Sequence, residues 1–436
     1  LTPVTVTIPE YGTETVASGP PSPNDRAAAT ALAAAGDEAK LRVRWLIDGR
    51  AEITASSWVG VVRFSNLDIR IVPKLVGDEL NVLRMIAFAS GVDVLRRLPN
   101  LRALPPSGED FLQLVCMLLA EESEWVLRQG LLRDYRMVEE SVGVLRGRLM
   151  LREQYLRRFG RLDILDCRYD EYDGDTPENQ LLTAALGAAR YLVQGHELSL
   201  RISRLAAIWS EVCSPQVLDP RWYTDRIHYT RRNRHYEVGH TLALLLLHHF
   251  GFSDVFDSRP GEVKTFLVDM NSLFERFVER LLGEALRGTH LRVSIQSPLS
   301  GVIRDDSKGR TYARVRPDLV ITHPQDNRRI PIDVKYKRYD IKKISTSDIY
   351  QTFLYAYVLG AEGYRRAGIL HPVEGDAIAA SLSVHSTMGL LGARIGIVGL
   401  DVPRILDALG GTPSNRAAAL EATAARISNL CGYGSG

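Results

Sequence analysis

Three ionisable side chains in the C-terminal third of this chain stand where they can share one point. Asp318 follows Arg316-Pro317 at the head of an apolar run, and fifteen residues later Asp333 sits in Ile332-Asp333-Val334, with Lys335 two places beyond. Side chains at i and i+2 of a strand leave the same face, so Asp333 and Lys335 point together. A hairpin between the two segments brings Asp318 beside them, at what reads as the edge of a sheet. Two carboxylates and an ammonium suit a divalent metal and the hydrolysis of a phosphodiester. That reaction needs charge on the phosphoryl oxygens neutralised, hydroxide generated near neutral pH and a leaving alkoxide stabilised, and a bound metal serves all three. Mg²⁺ takes one or two carboxylates together with waters and substrate phosphate. Asp318 and Asp333 are therefore the candidate metal ligands, and the Val334 carbonyl offers a further oxygen. Lys335 is placed to orient the attacking water or to stabilise developing negative charge. Glu275, on a preceding helix, is a candidate third acid, meeting the metal directly or through water. Gln351 and Tyr355 lie at i and i+4 of a later helix and share one face; they can hydrogen-bond the lysine or a DNA backbone.

Taken singly, each feature is ordinary. An Asp-x-Lys pair on a strand is usually a solvated charge pair, and a Glu on a helix flank is usually a surface residue. The order carries the weight: helix with Glu, strand with Pro-Asp, strand with Asp-x-Lys, helix with Gln-x-x-x-Tyr.

The elements that must position these residues are legible. Leu273, Phe274, Phe277, Val278, Leu281 and Leu282 form a helical apolar stripe with Glu275 and Glu279 on its flank. Strands are predicted over 291–295, 312–321 and 329–336, then a helix over 347–359 and a strand over 393–398, an α/β core. Upstream, 80–241 is dominated by helical periodicity, as in Phe111, Leu114, Val115 and Leu118, and Thr176-Pro177-Glu178-Asn179 opens one helix with a capping hydroxyl and Pro at the first position. Residues 1 to about 100 read as mostly β, with a hairpin turn at Asp48-Gly49, strands over 59–64 and 68–72, and Asp25 as N-cap of the Ala-rich stretch from Ala27 to Ala35. The fold class is thus multidomain α+β: a β-rich N-terminal domain over 1–100, a helical middle domain over 101–262 and a C-terminal α/β domain over 263–436.

With 436 residues, two or three domains are expected. Lys and Arg total 54 against 52 Asp and Glu, a net charge of +2, so any nucleic-acid surface must be local. Arg231 to Arg234 form a basic run that reads equally as a phosphate contact or a solvated face, and Lys337, Arg338, Lys342 and Lys343, beyond the Asp-x-Lys strand, are better placed to meet phosphates. Four dispersed cysteines without a CxxC pair speak against a zinc ribbon or disulfide framework. His248 and His249 lack a third ligand at metal spacing. Asp170, Asp173 and Asp175 do not fit a calcium loop and read as a turn and cap before the helix carrying Asn179. No apolar run is long enough to span a bilayer, and Leu1-Thr2-Pro3-Val4 does not resemble a secretory leader. A cytoplasmic protein is expected.

The ordered acid-acid-lysine set resembles the PD-(D/E)xK nuclease superfamily, and its Gln-x-x-x-Tyr helix is similar to the RecB-like branch. More narrowly, the chain resembles the McrC family, the nuclease subunits of McrBC modification-dependent restriction systems. The resemblance runs through Val59-Gly60-Val61-Val62 to Ile69-Arg70-Ile71-Val72-Pro73-Lys74, then Leu145-Arg146-Gly147-Arg148-Leu149. It continues through Cys167-Arg168-Tyr169-Asp170-Glu171 to Asp175 and Asn179, and Asp269-Met270-Asn271-Ser272-Leu273-Phe274-Glu275. With Arg316-Pro317-Asp318, Asp333-Val334-Lys335-Tyr336-Lys337 and Tyr350-Gln351, these segments follow the family's order over most of the chain.

The resemblance implies a PD-(D/E)xK C-terminal domain that cleaves methylated double-stranded DNA with Mg²⁺, or Mn²⁺ in its place. It also implies a partner, an McrB-like AAA+ GTPase hexamer that binds the GTP and whose hydrolysis the N-terminal part stimulates. The chain accordingly has no G-x-x-x-x-G-K-[ST] loop; Gly389, Gly392, Gly396 and Gly399 lack the Lys and Ser/Thr. Arg50, beside the Asp48-Gly49 turn, is a tip residue that can reach such a motor, although a solvated hairpin arginine is the simpler reading. Two alternatives remain open at this stage: a nuclease of the same fold acting on RNA or on DNA ends, and a non-catalytic activator of the motor. Cutting of circular DNA separates the first, and the retention of all three charged groups argues against the second.

Overall fold

Alternating or wholly apolar runs become strands, and apolar stripes at three- and four-residue spacing become helices. The computed structural model describes residues 3–34, 39–91, 111–159, 161–215, 219–249, 263–295, 299–326, 328–339, 343–361, 363–375 and 380–433. It is a mixed α/β chain in two compact units, one made of Leu1–Leu104 with Leu267–Gly436 and the other of Pro105–Phe266. The sequence set 1–100 apart from 263–436, whereas these two segments cluster together here.

The chain opens with β1 (Val4–Pro9), β2 (Thr13–Ala17), α1 (Pro23–Ala33), β3 (Leu41–Trp45), β4 (Arg50–Ala55), β5 (Trp58–Arg63), β6 (Leu67–Val72) and α2 (Glu79–Ser90). The second unit holds α3 (Phe111–Gln129), β7 (Asp134–Val142), β8 (Arg148–Leu149), α4 (Leu151–Arg158), β9 (Leu165–Asp173), α5 (Pro177–Leu192), α6 (His196–Val212), α7 (Pro220–Thr224) and α8 (Glu237–His249). Then follow β10 (Lys264–Asp269), α9 (Met270–Ala285), β11 (Arg292–Ile295), β12 (Leu299–Asp305), β13 (Arg310–Val315), β14 (Leu319–His323) and β15 (Arg328–Val334). The chain continues with α10 (Thr346–Leu359), β16 (Arg366–Val373), β17 (Ala380–His385), β18 (Leu391–Asp401), α11 (Val402–Leu409) and α12 (Pro413–Cys431). Among the described residues no helix is long and apolar enough to cross a membrane.

In the first unit, strands β1, β6, β5 and β10 lie side by side, and β2, β4 and β3 form an antiparallel sheet. Helix α1 is capped by Ser22 rather than by Asp25: the Ser22 hydroxyl accepts the Asp25 N–H and the Asp25 carboxylate accepts the Ser22 N–H, a closed capping box. The principal sheet has the order β11-β14-β15-β16-β18-β17. Strand β15 runs antiparallel to β14 and parallel to β16, and a parallel neighbour requires a crossover, which α10 supplies. Its burial is continuous from Ile330 to Val334, as expected of a strand covered on both faces. Helix α12 covers this sheet where side chains are absent: a Cβ on Gly368 would stand 2.7 Å from Ile332 Cδ1 and 2.8 Å from Leu430 Cδ1. Helix α9 buries the stripe read from the sequence, with Leu273, Phe274, Phe277, Val278, Leu281 and Leu282 all 1% exposed or less. Each such side chain contributes roughly 1.5–3 kcal/mol relative to exposure, which fixes α9 firmly enough to carry Glu275.

The second unit is helical, as its periodicity predicts, and Thr176 with Pro177 starts α5 as expected. It also contains an antiparallel sheet, β7-β9-β8, absent from the sequence reading. Strand β7 exposes nearly every residue, so it lacks the one-sided apolar alternation that announces a strand. Asp173 pairs with Arg136 at 2.8 Å and accepts the Asp175 N–H, which holds the turn before the Thr176 cap.

Within this unit His240 is fully buried, its Nδ1 3.1 Å from the Tyr229 hydroxyl and its Nε2 3.0 Å from the Glu178 carbonyl. Burial pushes its pKa down to about 3, outweighing the hydrogen bond to Glu178. The folded value is depressed, so between about 3 and about 6.5 the unfolded chain binds the extra proton. Stability is therefore present above pH 6.5 and is lost as pH falls, by about 3 kcal/mol at pH 4 for this group. Hydrogen exchange in α5 and α8 should show that loss between pH 7 and pH 4, and the non-titrating variant His240→Gln should flatten it. An equal slope in the variant contradicts the assignment.

Candidate active site

The site forms at the C-terminal end of β15, a central strand, and not at a sheet edge as the sequence suggested. Leu319 of β14 pairs with Ile332 of β15, so Asp318, one residue before β14, comes level with Asp333. The expected single strand over 312–321 is two strands. Arg316-Pro317-Asp318 breaks the run, and β13 turns away to pair with β12. The Val334 N–H, which β14 no longer reaches, donates instead to Asp318 Oδ2 at 2.7 Å. The carboxylate thus ends the β14–β15 ladder while remaining half-buried at the site.

Asp333 is 1% exposed. Apart from the Lys335 ammonium, 3.1 Å from Oδ2, neither of its carboxylate oxygens has a polar partner among the described residues. Burial raises its pKa to about 6; Lys335 pulls it down and Asp318 pushes it up, so desolvation wins over the ion pair. Lys335 is moved the other way by its neighbours. Burial would lower its pKa, yet Asp333, Asp318 and Asp348 together hold it above the ordinary lysine value, so it is a cation at neutral pH.

Glu275 reaches the same electrostatic neighbourhood from α9. Its pKa is pushed up to about 7, first by loss of surrounding water and then by the charge of Asp318, against the opposing pull of Lys335. The residue nonetheless keeps an exposed surface. The crowding is one-sided, and water on the open side moderates the rise.

Gln351 and Tyr355 do share a face of α10, but they hold protein rather than Lys335. The Gln351 amide donates to the Tyr355 hydroxyl at 2.7 Å, and that hydroxyl donates to the Arg316 carbonyl at 2.9 Å. The pair therefore pins the backbone two residues before Asp318. The helix is oriented by its buried stripe of Asp348, Thr352, Tyr355 and Ala356, and the Ser345 side chain caps it on the Asp348 N–H.

Sequence reasoning missed two supports. Asp348 binds Lys337 at 3.3 Å and accepts the Tyr339 hydroxyl, and its charge acts on Asp333 and Lys335. The signal was Ser345-x-x-Asp348, which reads as an ordinary helix cap. Glu10, fully buried, accepts the Lys74 and Leu75 N–H groups and the Tyr336 hydroxyl at 2.8 Å. The Tyr11 hydroxyl donates to the Tyr336 carbonyl. No local pattern links residues 326 positions apart.

The remaining candidates lie elsewhere. Lys337 is paired with Asp348 and Arg338 with Glu374 at 2.9 Å, so neither is an unneutralised phosphate contact. Lys343 is exposed and Lys342 lies outside the described residues. Arg231, Arg232 and Arg234 are exposed in the second unit, and Arg50 is paired with Asp48 at 2.6 Å. Among the described residues no group of three or more His, Cys, Asp or Glu stands ready to hold a metal ion.

Opposed acids and a half-buried lysine at the end of a central strand of a mixed sheet are the class of site that the fold defines. The family model described as McrBC 5-methylcytosine restriction system component matches residues 53–370, and the chain belongs to that family. No curated protein matches it. Among solved structures it is similar to a chain of the refined half-complex from a tetradecameric assembly of Thermococcus gammatolerans McrB AAA+ hexamers with bound McrC. That likeness has a TM-score of 0.64 at 16% identity and covers 98% of this chain and 100% of that one. A chain of the cryo-EM structure of the Thermococcus gammatolerans McrBC complex is similar at a TM-score of 0.47 and 20% identity, over 65% of this chain and 88% of that one.

Tyr355→Phe removes the hydroxyl that holds the Arg316 carbonyl. Stability should fall by about 1 kcal/mol, and hydrogen exchange at the Val334 amide, the reporter of Asp318's seat, should quicken. Unchanged exchange at Val334 would show that Tyr355 does not position Asp318.

Proposed function

We propose that this chain is an McrC-like endonuclease subunit of a modification-dependent restriction system, with a PD-(D/E)xK nuclease domain over 263–436. The observation that carries the reading is Asp333. A carboxylate buried to 1% exposure with no hydrogen-bond donor among the described residues except Lys335 is costly unless a cation completes it. Asp318 and Asp333 would hold Mg²⁺, or Mn²⁺ in its place, with Glu275 as the third acid. Two carboxylates fit a cation that fills its remaining positions with water and phosphate. When bound, that cation supplies charge neutralisation and an activated water.

The chain's own residues do the rest. Lys335, held cationic between Asp333 and Asp348, faces the developing negative charge or orients the water. Asp318 keeps its place through the Val334 N–H, and Gln351 with Tyr355 fixes the turn leading into it.

The partner in this reading is an McrB-like AAA+ GTPase hexamer that binds GTP, with double-stranded, methylated DNA as substrate. Family membership and the likeness to a chain solved with McrB AAA+ hexamers support it. Residues 1–100 are proposed to dock on the motor and 101–262 to form the middle domain. In the reconstituted complex, Asp333→Ala or Lys335→Ala should abolish cleavage of methylated plasmid, a loss of at least about a hundredfold, while stimulation of partner GTP turnover persists. Retained cutting by Asp333→Ala refutes the site. Shortening of linear ends with circular DNA untouched would favour an exonuclease instead.

A further inference from the structure

The turn between β1 and β2 lies more than 300 positions from the acids, yet it grips the residue next to Lys335. Pro9-Glu10-Tyr11-Gly12 closes on itself, the Gly12 N–H donating to the Pro9 carbonyl at 2.9 Å. Tyr11 takes the third place of this turn with φ of 59°, a conformation that usually selects glycine or asparagine. Glu10 is fully buried. Its Oε1 accepts the Lys74 N–H at 2.6 Å, the Leu75 N–H at 3.0 Å and the Tyr336 hydroxyl at 2.8 Å, while Oε2 has no partner among the described residues. An uncommon backbone and a buried carboxylate at adjacent positions both cost stability. Stability alone selects neither.

What the turn holds accounts for both. Asp318 takes the Val334 N–H, so beyond Val334 the chain has no β14 neighbour. Lys335 keeps one lateral bond, from its N–H to the Leu370 carbonyl at 2.9 Å. Tyr336 is then held at two points, its carbonyl by the Tyr11 hydroxyl at 3.3 Å and its own hydroxyl by Glu10. The buried Tyr336 ring lies 5.7 Å from that of Phe274, centre to centre.

The same region also seats the helix that carries Glu275. The Tyr11 N–H donates to the Ser56 carbonyl at 3.1 Å. The next residue, Ser57, is fully buried; its carbonyl accepts the Met270 N–H at 3.0 Å and its hydroxyl accepts the Asn271 amide at 2.8 Å. Asn271 and Glu275 stand at i and i+4 of α9 and share one face. Two turns of the N-terminal segment, bonded to each other, thus fix the elements that carry Lys335 and Glu275.

We infer that Glu10 is a positioning residue of the nuclease site: through the Tyr336 hydroxyl it fixes the backbone that carries Lys335, and the β1–β2 turn is part of the catalytic framework. This rests on the nuclease reading above and adds a residue that touches neither cation nor substrate. A misplacement of about 1 Å made far from the chemistry can cost about a hundredfold in rate. One hydrogen bond among several loosens the seat of Lys335 without releasing it, so a loss of about tenfold is expected.

The test is Tyr336→Phe in the full chain, which cuts the link and leaves Glu10 its two N–H donors. In the complex reconstituted with the AAA+ partner, kcat for methylated-plasmid cleavage should fall about tenfold, with KM for the DNA within about twofold of wild type. In the chain alone, hydrogen exchange at the Lys335 amide should quicken about tenfold while amides within β16 and β18 keep the wild-type rate. Glu10→Leu should lose a similar factor in kcat, and adding Tyr336→Phe to it should cost little more, because the acid acts through that hydroxyl. Tyr336→Phe alone decides the matter if Glu10→Leu does not fold. The inference is overturned by a wild-type kcat in Tyr336→Phe, by exchange that quickens equally across β16 and β18, or by a second full tenfold loss in the double variant. If wild type cuts while Tyr336→Phe leaves kcat and Lys335 exchange unchanged, the positioning role alone fails. If Lys335 exchange quickens as expected but wild type does not cut, the nuclease reading alone fails.

Discussion

The burial of the Asp333 carboxylate is the constraint around which this unit is arranged. In the buried stretch of β15, otherwise Ile330, Pro331, Ile332 and Val334, one ionisable group is taken out of water. The nearby ammonium of Lys335 does not offset that cost, since the carboxyl remains raised to about 6. Stability alone would favour an apolar residue here. The neighbouring features make sense as ways of tolerating and using this group: Asp318 level with it, Lys335 on the same side and Glu275 delivered by a helix whose apolar face is buried.

A second layer holds the strand end. Tyr336, next to Lys335, is clamped by Glu10 through its hydroxyl and by Tyr11 through its carbonyl, and its ring packs against Phe274, the neighbour of Glu275. Tyr11 adopts a left-handed backbone with φ of 59°, an uncommon conformation for a side chain of that size. Burial raises the pKa of Glu10 despite its three hydrogen-bond donors, so this acid too is kept at a cost. The turn between β1 and β2 therefore contacts the chain just beyond the strand that carries Asp333, within the unit that the N-terminal and C-terminal segments form together.

What the sequence revealed follows from how local each signal is. The α9 stripe, the Asp-x-Lys pair and the Thr176-Pro177 helix start are written within a few residues, and they appear where expected. The break at Pro317 was written in the sequence, since Pro317 and Asp318 both disfavour a continuous strand, but where β13 goes is set by its pairing with the distant β12. Strand β7 was invisible because both its faces are exposed. Glu10 and Tyr11 were illegible because their partner lies over 300 positions away, and Asp348 because a capping residue and a site residue look alike. Gln351 and Tyr355 were found by spacing, but spacing could not reveal that they bind the Arg316 carbonyl.

The central claim is that the Asp333 carboxylate, buried at the end of β15 with the Lys335 ammonium beside it, exists to hold a divalent cation. Calorimetric titration of Mn²⁺ into the full chain, wild type against Asp333→Asn, addresses it without reference to any partner or substrate. The account predicts saturable binding to wild type that disappears in the asparagine variant, with the fold of both proteins unchanged by circular dichroism. Equal binding by both, or none by the wild type, would contradict it.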